Sequence, residues 1–267
     1  MDAHRSIHGD PRLRSVGWKD LLPLSRSQVI TELTISLPWL LLSWLFAHHR
    51  LLLPALLCSF MFFLTGLRQV HNAYHNALGI SRRKTGLVMY GLSVLMLASM
   101  HAVRYNHLQH HHHCLDDNDL EGMSARMGMG RAFLFGPIFP IRLHAHAWSN
   151  AGGKVRKWMI VETLSMIALV YMAFSLFDLY FLKYHLVVMV LGESMTAFFA
   201  VWTVHHGCDG SDRIARTIRG RFKTLVSYSM FYHLEHHLFP AVPTRNLPLL
   251  AERLDAVIPE LREHRVF

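Results

Sequence analysis

The stretch YNHLQHHHHC, residues 105–114, holds five histidines within ten residues. Purification tags normally sit at a chain terminus, and this run lies well inside the chain, so it is not a tag. The rest of the sequence is apolar: 52% of the residues are hydrophobic and the mean hydropathy is +0.23, which is high for a soluble enzyme. We therefore expect an integral membrane protein.

The spacing within this stretch separates two kinds of histidine. His107, His110 and His111 follow an HxxHH pattern, which places three imidazoles on one face of a helix. His112 and His113 point about 100° and 200° further round than His111, at 3.6 residues per turn. We predict that only the first three bind a metal.

Similar spacing occurs elsewhere in the chain. Two further motifs put imidazoles about one helical turn apart: HNAYH, with His71 and His75, and HLEHH, with His233, His236 and His237. WTVHHGC adds His205 and His206. The three motifs hold more histidines than the three or four ligands of a zinc site, which implies two metal ions. Imidazole suits zinc, copper, iron and nickel alike, so ligand type leaves the metal open.

Four apolar stretches are long enough to cross a bilayer, which takes about 20 residues. They cover residues 28–47, 51–70, 158–177 and 183–203. Short connections join the first pair and the last pair, so we predict two helical hairpins. A fifth stretch, residues 86–100, spans only about 22 Å as a helix, and we expect it to be re-entrant or interfacial.

The positions of lysine and arginine predict the orientation, because short cytoplasmic loops are enriched in both. The N-terminal segment holds 5 of them, residues 68–157 hold 11 and residues 213–267 hold 9, whereas the hairpin connections hold only Arg50 and Lys183. Both termini, the active site and every histidine motif are therefore expected in the cytoplasm. The net charge of +9 is scattered beside apolar stretches, which favours a membrane surface over a nucleic acid.

These observations predict an all-α integral membrane protein. Four transmembrane helices would form two hairpins, joined by a short re-entrant or interfacial helix and covered by a cytoplasmic histidine-rich cap. The chain would be a single domain, with a polar N-terminal segment (1–27), membrane helices and a cytoplasmic insert (28–203), and a C-terminal cap (204–267). The three cysteines are not closely spaced, which argues against a disulfide framework or a CxxC site.

The order HxxxH, HxxHH, HxxHH resembles the three histidine boxes of the membrane fatty acid desaturase superfamily. YHLEHHLFPAVPTRNLPLL, residues 232–250, is similar to the third-box region, and HHGCDGSDRIARTIRG resembles the segment before that box in bacterial members. The resemblance implies two iron ions held by nine imidazoles, those of His71, His75, His107, His110, His111, His206, His233, His236 and His237.

The sequence differs from the family pattern in the fourth span. Some members carry an asparagine four residues before the single histidine ligand, whereas this chain carries Trp202, so His205 is a candidate additional ligand. Glu193 lies 13 residues before His206, deep in that span, where ionisable residues are costly and often functional. Glu193, Thr196 and Trp202 are therefore candidates for a substrate pocket.

Carboxylates near the boxes are candidates to orient the imidazoles. A metal-bound histidine commonly donates the N–H of its other ring nitrogen to such a carboxylate. The candidates are Asp116, Asp117, Asp119, Glu121, Asp209 and Glu235. No side chain is assigned as an acid, base or nucleophile, because the metal centre would carry the chemistry.

The family resemblance implies an oxidoreductase that uses O2 and external electrons to desaturate an acyl chain or a similar apolar substrate. The sequence shows no GxGxxG motif and no haem or iron–sulfur module, so we expect a separate, ferredoxin-like electron donor with its reductase. A hydroxylase or ketolase of a lipid or carotenoid is an alternative within the same fold. A histidine-rich metal transporter or metal-binding membrane protein is an alternative from another class, although its ligands should line a membrane path rather than gather at helix ends.

Overall fold

The computed structural model describes residues 7–208 and 214–264. Within them the chain is helical, without strands, and one isolated antiparallel bridge joins Thr217 and Tyr232. The α-helices are α1 (Arg26–Thr34), α2 (Leu37–His48), α3 (Leu52–Tyr74), α4 (Arg82–Met96), α5 (Met100–His113), α6 (Met129–Phe135), α7 (Phe139–Asn150), α8 (Gly153–Tyr171), α9 (Tyr180–Glu193), α10 (Thr203–His205), α11 (Arg221–Val226), α12 (His233–Leu238) and α13 (Leu247–Val257). The predicted all-helical fold is confirmed for this part of the chain.

Shorter helical segments connect these helices. Two π-helical segments, Met172–Leu176 and Ala197–Trp202, follow α8 and precede α10. The 3-10 helices are Ile7–Gly9, Pro11–Ser15, Lys19–Leu21, Gly122–Arg126, Thr244–Asn246 and Pro259–His264.

Three helical stretches are long and apolar enough to cross a membrane, namely Arg26–His48, Leu52–Tyr74 and Gly153–Leu176. Two bent pairs also pass this test: Arg82–Met96 with Met100–His113, bent by 110°, and Tyr180–Glu193 with Ala197–His205, bent by 41°. The described residues thus contain three candidate spans, or up to five if each bent pair forms one span. The predicted count of four lies within this range and stays a prediction.

Both bends have local causes that hydropathy does not show. In the first, Leu97 adopts a left-handed conformation (φ 60°), and the backbone N–H of Met100 is bonded 2.9 Å from Ser93 Oγ. In the second, Ser194 Oγ donates to Val190 O, and Thr196 Oγ1 donates to Glu193 O. Such side-chain bonds to the helix backbone compete with the regular ladder and bend helices. The predicted stretches 86–100 and 183–203 are therefore not continuous helices: α4 ends at Met96 and α9 ends at Glu193.

The chain divides into two compact units. Unit 1 comprises Met1–Leu24, Gln109–Leu134 and Ala197–Phe267, and unit 2 comprises Ser25–Leu108 and Phe135–Thr196. The division falls within α5.

Unit 2 is held together by close contacts between its long helices. Ser43 Oγ of α2 lies 2.7 Å from Ser59 Oγ of α3. On α9, a Cβ at Gly192 would lie 2.8 Å from the Phe63 ring, so glycine permits α3 to approach. The outer faces of these helices are apolar: Leu53 and Leu164, for example, are 72% and 61% exposed. Large exposed apolar surface of this kind suits contact with lipid.

Unit 1 has a core of its own around α13. Leu247, Leu250 and Leu254 are fully buried on one face of this helix, and Val16 and Leu21 from the N-terminal segment complete the core. This core fixes the C-terminal region, which carries the third histidine motif on α12.

Candidate metal centre

Four histidines of unit 1 direct their Nε2 atoms toward one another. They come from three helices: His110 from α5, His205 from α10, and His233 and His237 from α12. The Nε2–Nε2 distances are 3.1 Å for His110 and His205, 3.3 Å for His110 and His237, 2.9 Å for His233 and His205, and 3.2 Å for His237 and His233. All four side chains are buried. We call these residues the unit 1 group.

The outward hydrogen bonds of this group define its protonation. His110 Nδ1 donates to Asp119 Oδ2 at 2.7 Å, and His205 Nδ1 donates to the carbonyl oxygen of Ile214 at 2.8 Å. Carboxylate and carbonyl oxygens only accept, so each Nδ1 carries the proton. In the neutral ring, the Nε2 atom therefore presents a lone pair.

Two lone pairs about 3 Å apart repel each other unless a proton or a metal ion lies between them. Nitrogens bound to one metal ion at about 2.0–2.1 Å lie about 3.0–3.4 Å from each other, which matches the distances in the unit 1 group. Donation of the other ring nitrogen to an oxygen is also the usual arrangement of a metal-bound histidine. The unit 1 group therefore fits a metal ion.

The remaining histidines of the two HxxHH motifs form a pair beside this group. His111 Nε2 lies 3.0 Å from His236 Nε2, and the His111 ring stacks on His237 with centroids 4.3 Å apart. Cys114 Sγ also lies within 4.8 Å of ligand atoms of the unit 1 group. Burial raises the pKa of the Cys114 thiol, and its Sγ donates to Ile214 O, so Cys114 is a poorer ligand than the imidazoles.

A second histidine group lies in unit 2. His71 and His75 stand at the end of α3 and His107 on α5, and their ligand nitrogens lie within 4.8 Å of one another. His107 Nε2 is 3.0 Å from His75 Nε2. Burial, together with the charge of Arg104, lowers the pKa of His75 to about 4, so this imidazole is neutral and able to bind a metal at neutral pH. We call these three residues the unit 2 group.

The carboxylates predicted to orient imidazoles lie in different places. Asp119 contacts His110, and although burial raises its pKa, hydrogen bonds from His110, Gly122 and Leu115 bring the pKa below its ordinary value. Burial raises the pKa of Glu121 to about 7.

The other predicted carboxylates form different contacts. Asp116 accepts from His113 Nδ1, and Asp117 lies 3.7 Å from Arg126. Glu235 accepts from Thr217 and Arg219. Asp209 lies outside the described residues.

The adjacent histidines in WTVHHGC have different surroundings. His205 belongs to the unit 1 group, whereas His206 Nδ1 donates to Ala125 O at 3.0 Å and its ring stacks on Trp202 with centroids 4.4 Å apart. The family resemblance pointed to His206, and the geometry favours His205. The π-helical segment Ala197–Trp202 changes the face on which the next residues lie, and the sequence pattern does not reveal it.

The residues predicted to form a substrate pocket have separate contacts. Glu193 Oε1 is buried without a hydrogen-bond partner among the described residues, next to Thr196 in unit 2. Trp202 belongs to unit 1, where its Nε1 donates to Met127 O at 2.9 Å. The structure leaves the pocket role of these three residues a prediction.

Sequence reasoning missed a buried polar cluster in unit 2. Glu162, within the predicted span 158–177, accepts from His101 Nδ1, Ser93 Oγ and Ser99 Oγ at 2.6, 2.7 and 2.5 Å. The signal was available, because an ionisable residue within an apolar span is costly unless it has partners.

Convergent imidazoles in an all-helical chain with membrane-length helices define a metal-binding membrane protein. The chain belongs to the fatty acid desaturase family, whose model, described as "Fatty acid desaturase", matches residues 47–267. A comparison with curated proteins finds no match. Family membership supports a desaturase-like membrane oxidoreductase, and the histidine groups are compatible with its metal site.

Proposed function

We propose that this protein is a diiron membrane oxidoreductase that uses O2 and electrons from a separate donor to desaturate an acyl chain or a similar apolar substrate. The observation that carries the proposal is the unit 1 group, in which buried Nε2 lone pairs converge while two of the Nδ1 atoms donate outward. Family membership over residues 47–267 supports the same class of reaction.

Two sets of residues would hold the metal. In unit 1 they are His110, His205, His233 and His237, with the pair His111 and His236 beside them, and in unit 2 they are His71, His75 and His107. When bound, iron supplies the activation of oxygen and the removal of hydrogen from an unactivated carbon. The protein supplies the geometry.

Two oxygen acceptors beside the unit 1 group hold two of its imidazoles in one tautomer. Asp119 and the carbonyl of Ile214 accept the Nδ1 protons of His110 and His205, which leaves Nε2 able to bind a cation. Burial of the whole group excludes water from the ligand atoms, and electrostatic interactions there are stronger than in bulk solvent.

The surface of unit 2 supports the proposed substrate class. Its long helices expose large apolar side chains, so this part of the protein would lie in the bilayer, where acyl chains are found. The distribution of lysine and arginine supports a cytoplasmic orientation for both termini and both groups.

Electrons would come from another protein. The chain contains only three cysteines, Cys58, Cys114 and Cys208, too few for a cluster with four thiolate ligands. A basic cytoplasmic surface would attract an acidic, ferredoxin-like donor.

The test is to purify the protein from cells supplied with iron, determine its metal content, and analyse cellular lipids by mass spectrometry with and without expression. We expect about two iron ions per chain and a lipid product that has lost two hydrogens. Zinc at one ion per chain with no iron would contradict the diiron proposal. A product that gains one oxygen would identify a hydroxylase or ketolase instead, and metal flux into proteoliposomes without any lipid product would identify a transporter.

A further inference from the structure

Unit 2 contains a cavity of about 690 Å³, and none of the three histidines of the unit 2 group lines it. Four cationic residues line it, namely Arg82, Arg83, Arg104 and Lys154, and His101 and Trp158 form part of its wall. No acidic side chain is among the lining residues. We call it the basic cavity.

The four cations lack the partners that other arginines of this protein have. Arg68 and Arg219, for example, form ion pairs with Glu32 and Glu235 at 2.5 Å. In contrast, Arg82, Arg83, Arg104 and Lys154 form no ion pair with any described residue, and Arg104 uses its Nε to donate to Tyr74 O at 2.9 Å. Four positive charges around one volume repel each other, so the arrangement favours an anion between them.

The inner wall of the cavity is rigid and polar. His101 is buried, its ring lies parallel to that of Trp158 with centroids 4.5 Å apart, and its Nδ1 donates to Glu162 Oε1 at 2.6 Å. Glu162 is itself fully buried and accepts from Ser93 and Ser99. His101 is therefore held in one orientation by Trp158 and Glu162.

The imidazole presents its second nitrogen on the side of Gly86. A Cβ at Gly86 would lie 3.8 Å from both His101 Nε2 and Trp158 Cζ2, so glycine leaves this edge of the ring uncovered. Both Gly86 and His101 line the basic cavity. A polar ring atom thus faces the volume that the four cations surround.

The position of the cavity indicates where its ligand comes from. Asn76 lies just after α3, Arg82 begins α4, and Lys154 lies in the first turn of α8. Because α3 and α8 are candidate membrane spans, the cavity lies at helix ends, the level at which lipid head groups meet water. Tryptophan is enriched at that level, and basic pockets between membrane helices bind anionic head groups.

We propose that the basic cavity binds a phosphate group, and that a membrane phospholipid supplies it. Guanidinium groups match phosphate oxygens with paired hydrogen bonds, and Lys154 adds a point charge. The volume of about 690 Å³ accommodates a glycerophosphate head group. This proposal does not depend on the proposed enzymatic activity, because it concerns binding and is tested without turnover.

The test compares two double variants that lose the same charge from the same two helices. Arg82→Gln with Lys154→Gln removes two exposed cations that line the cavity, and Lys84→Gln with Lys157→Gln removes two exposed cations that do not line it. Binding of short-chain phosphatidylglycerol to the purified full-length protein in a non-ionic detergent is measured by native mass spectrometry. Diacylglycerol and inorganic phosphate serve as the neutral lipid and the free anion.

We expect the unmodified protein to bind phosphatidylglycerol in preference to diacylglycerol. The cavity variant should bind it about tenfold more weakly or worse, and the control variant should stay within about twofold of the unmodified protein. Equal weakening in both variants would overturn the proposal, because general surface charge would then explain the binding. Equal affinity for both lipids would also overturn it.

Two further measurements keep the test decisive. If inorganic phosphate bound as tightly as phosphatidylglycerol, the assignment of the phosphate to a phospholipid would be overturned. Metal content and gel-filtration profile establish that each variant is folded, and Arg83→Gln, a single change at an exposed lining residue, replaces the double variant if that proves unstable. Arg83→Gln should weaken phosphatidylglycerol binding several-fold, and unchanged binding would count against the site.

Discussion

The motifs HNAYH of unit 2 and HLEHH of unit 1 are both held by a buried ion pair of arginine and glutamate, but the two pairs are built in opposite ways. On α3, Arg68 and Asn72 flank His71, and the carboxylate comes from Glu32 of α1 at 2.5 and 3.0 Å. On α12, the carboxylate Glu235 is part of the motif itself, and Arg219 comes from the segment before α11.

This difference shows what a histidine motif does and does not specify. The spacing fixes which imidazoles share a helix face, whereas a residue distant in sequence fixes how that helix is oriented. The two groups also differ in burial, because all four histidines of the unit 1 group are buried, while His71 and His75 are half-buried. We therefore expect the unit 1 group to be the more sensitive to substitution.

The largest effect is expected at His110. His110→Ala should abolish lipid modification and remove metal from the unit 1 group, because no neighbouring imidazole can take its position in a preorganised site. His113→Ala, whose imidazole bonds to Asp116, should keep most of the activity and metal. Metal analysis and lipid profiling of the two variants check this, and equal loss of metal in both would show that the HxxHH register is wrong.

The next effect separates His205 from His206. His205→Ala should remove a ligand from the unit 1 group and cause a large loss of metal, whereas His206→Ala removes a ring that bonds to Ala125 O and should cause a smaller loss. Metal content per folded chain is the readout. A greater loss from His206→Ala would restore the assignment suggested by the family resemblance.

A third prediction concerns the ion pair that holds the HLEHH helix. Arg219 contacts both Glu235 and Asp255 and is 10% exposed. Arg219→Met should destabilise the protein by about 3–5 kcal/mol, because it removes the buried cation from two buried carboxylates and leaves Glu235 with Thr217 and Asp255 with Arg262. Arg253→Gln, which removes a more exposed pair with Asp20, should cost about 0–1 kcal/mol. Chemical unfolding in detergent measures both, and similar costs would mean that the Arg219 pair is not desolvated.

The smallest effect is expected at Asp119. Asp119→Asn keeps the shape of the side chain but removes the charge that accepts the Nδ1 proton of His110. Loss of such a partner typically weakens metal binding by about 10–100-fold. Asp116→Asn is the matched control, because Asp116 contacts His113 rather than the unit 1 group. Competition with a chelator of known affinity gives the two values, and equal affinities would exclude an orienting role for Asp119.

Local patterns in the sequence predicted those contacts of the site that join residues close together along the chain. Asp119 lies nine residues after His110 and was predicted as a partner of a ligand, and their hydrogen bond is present. The HxxHH spacing of α12 places His233 and His237 one turn apart, and their Nε2 atoms lie 3.2 Å apart.

Hydrogen bonds and ion pairs between residues far apart in the sequence were not predictable from local patterns. Glu162 lies 61 residues after His101, and Glu32 lies 36 residues before Arg68. The four cations of the basic cavity come from α4, α5 and α8, and nothing in their local sequence indicates that they meet. Only the packing of the helices brings such residues together.

The π-helical segment Ala197–Trp202 also affects how related sequences align with this one. A π-helical turn winds one more residue than an α-helical turn, so the segment behaves as an α-helix that carries a single-residue insertion. Removing one residue here would let the helix return to α-helical winding with His205 on nearly the same face. A one-residue deletion within α12 would instead turn the following imidazoles by about 100°. Gaps between relatives of this protein are therefore expected at residues 197–202 and not within the HLEHH helix.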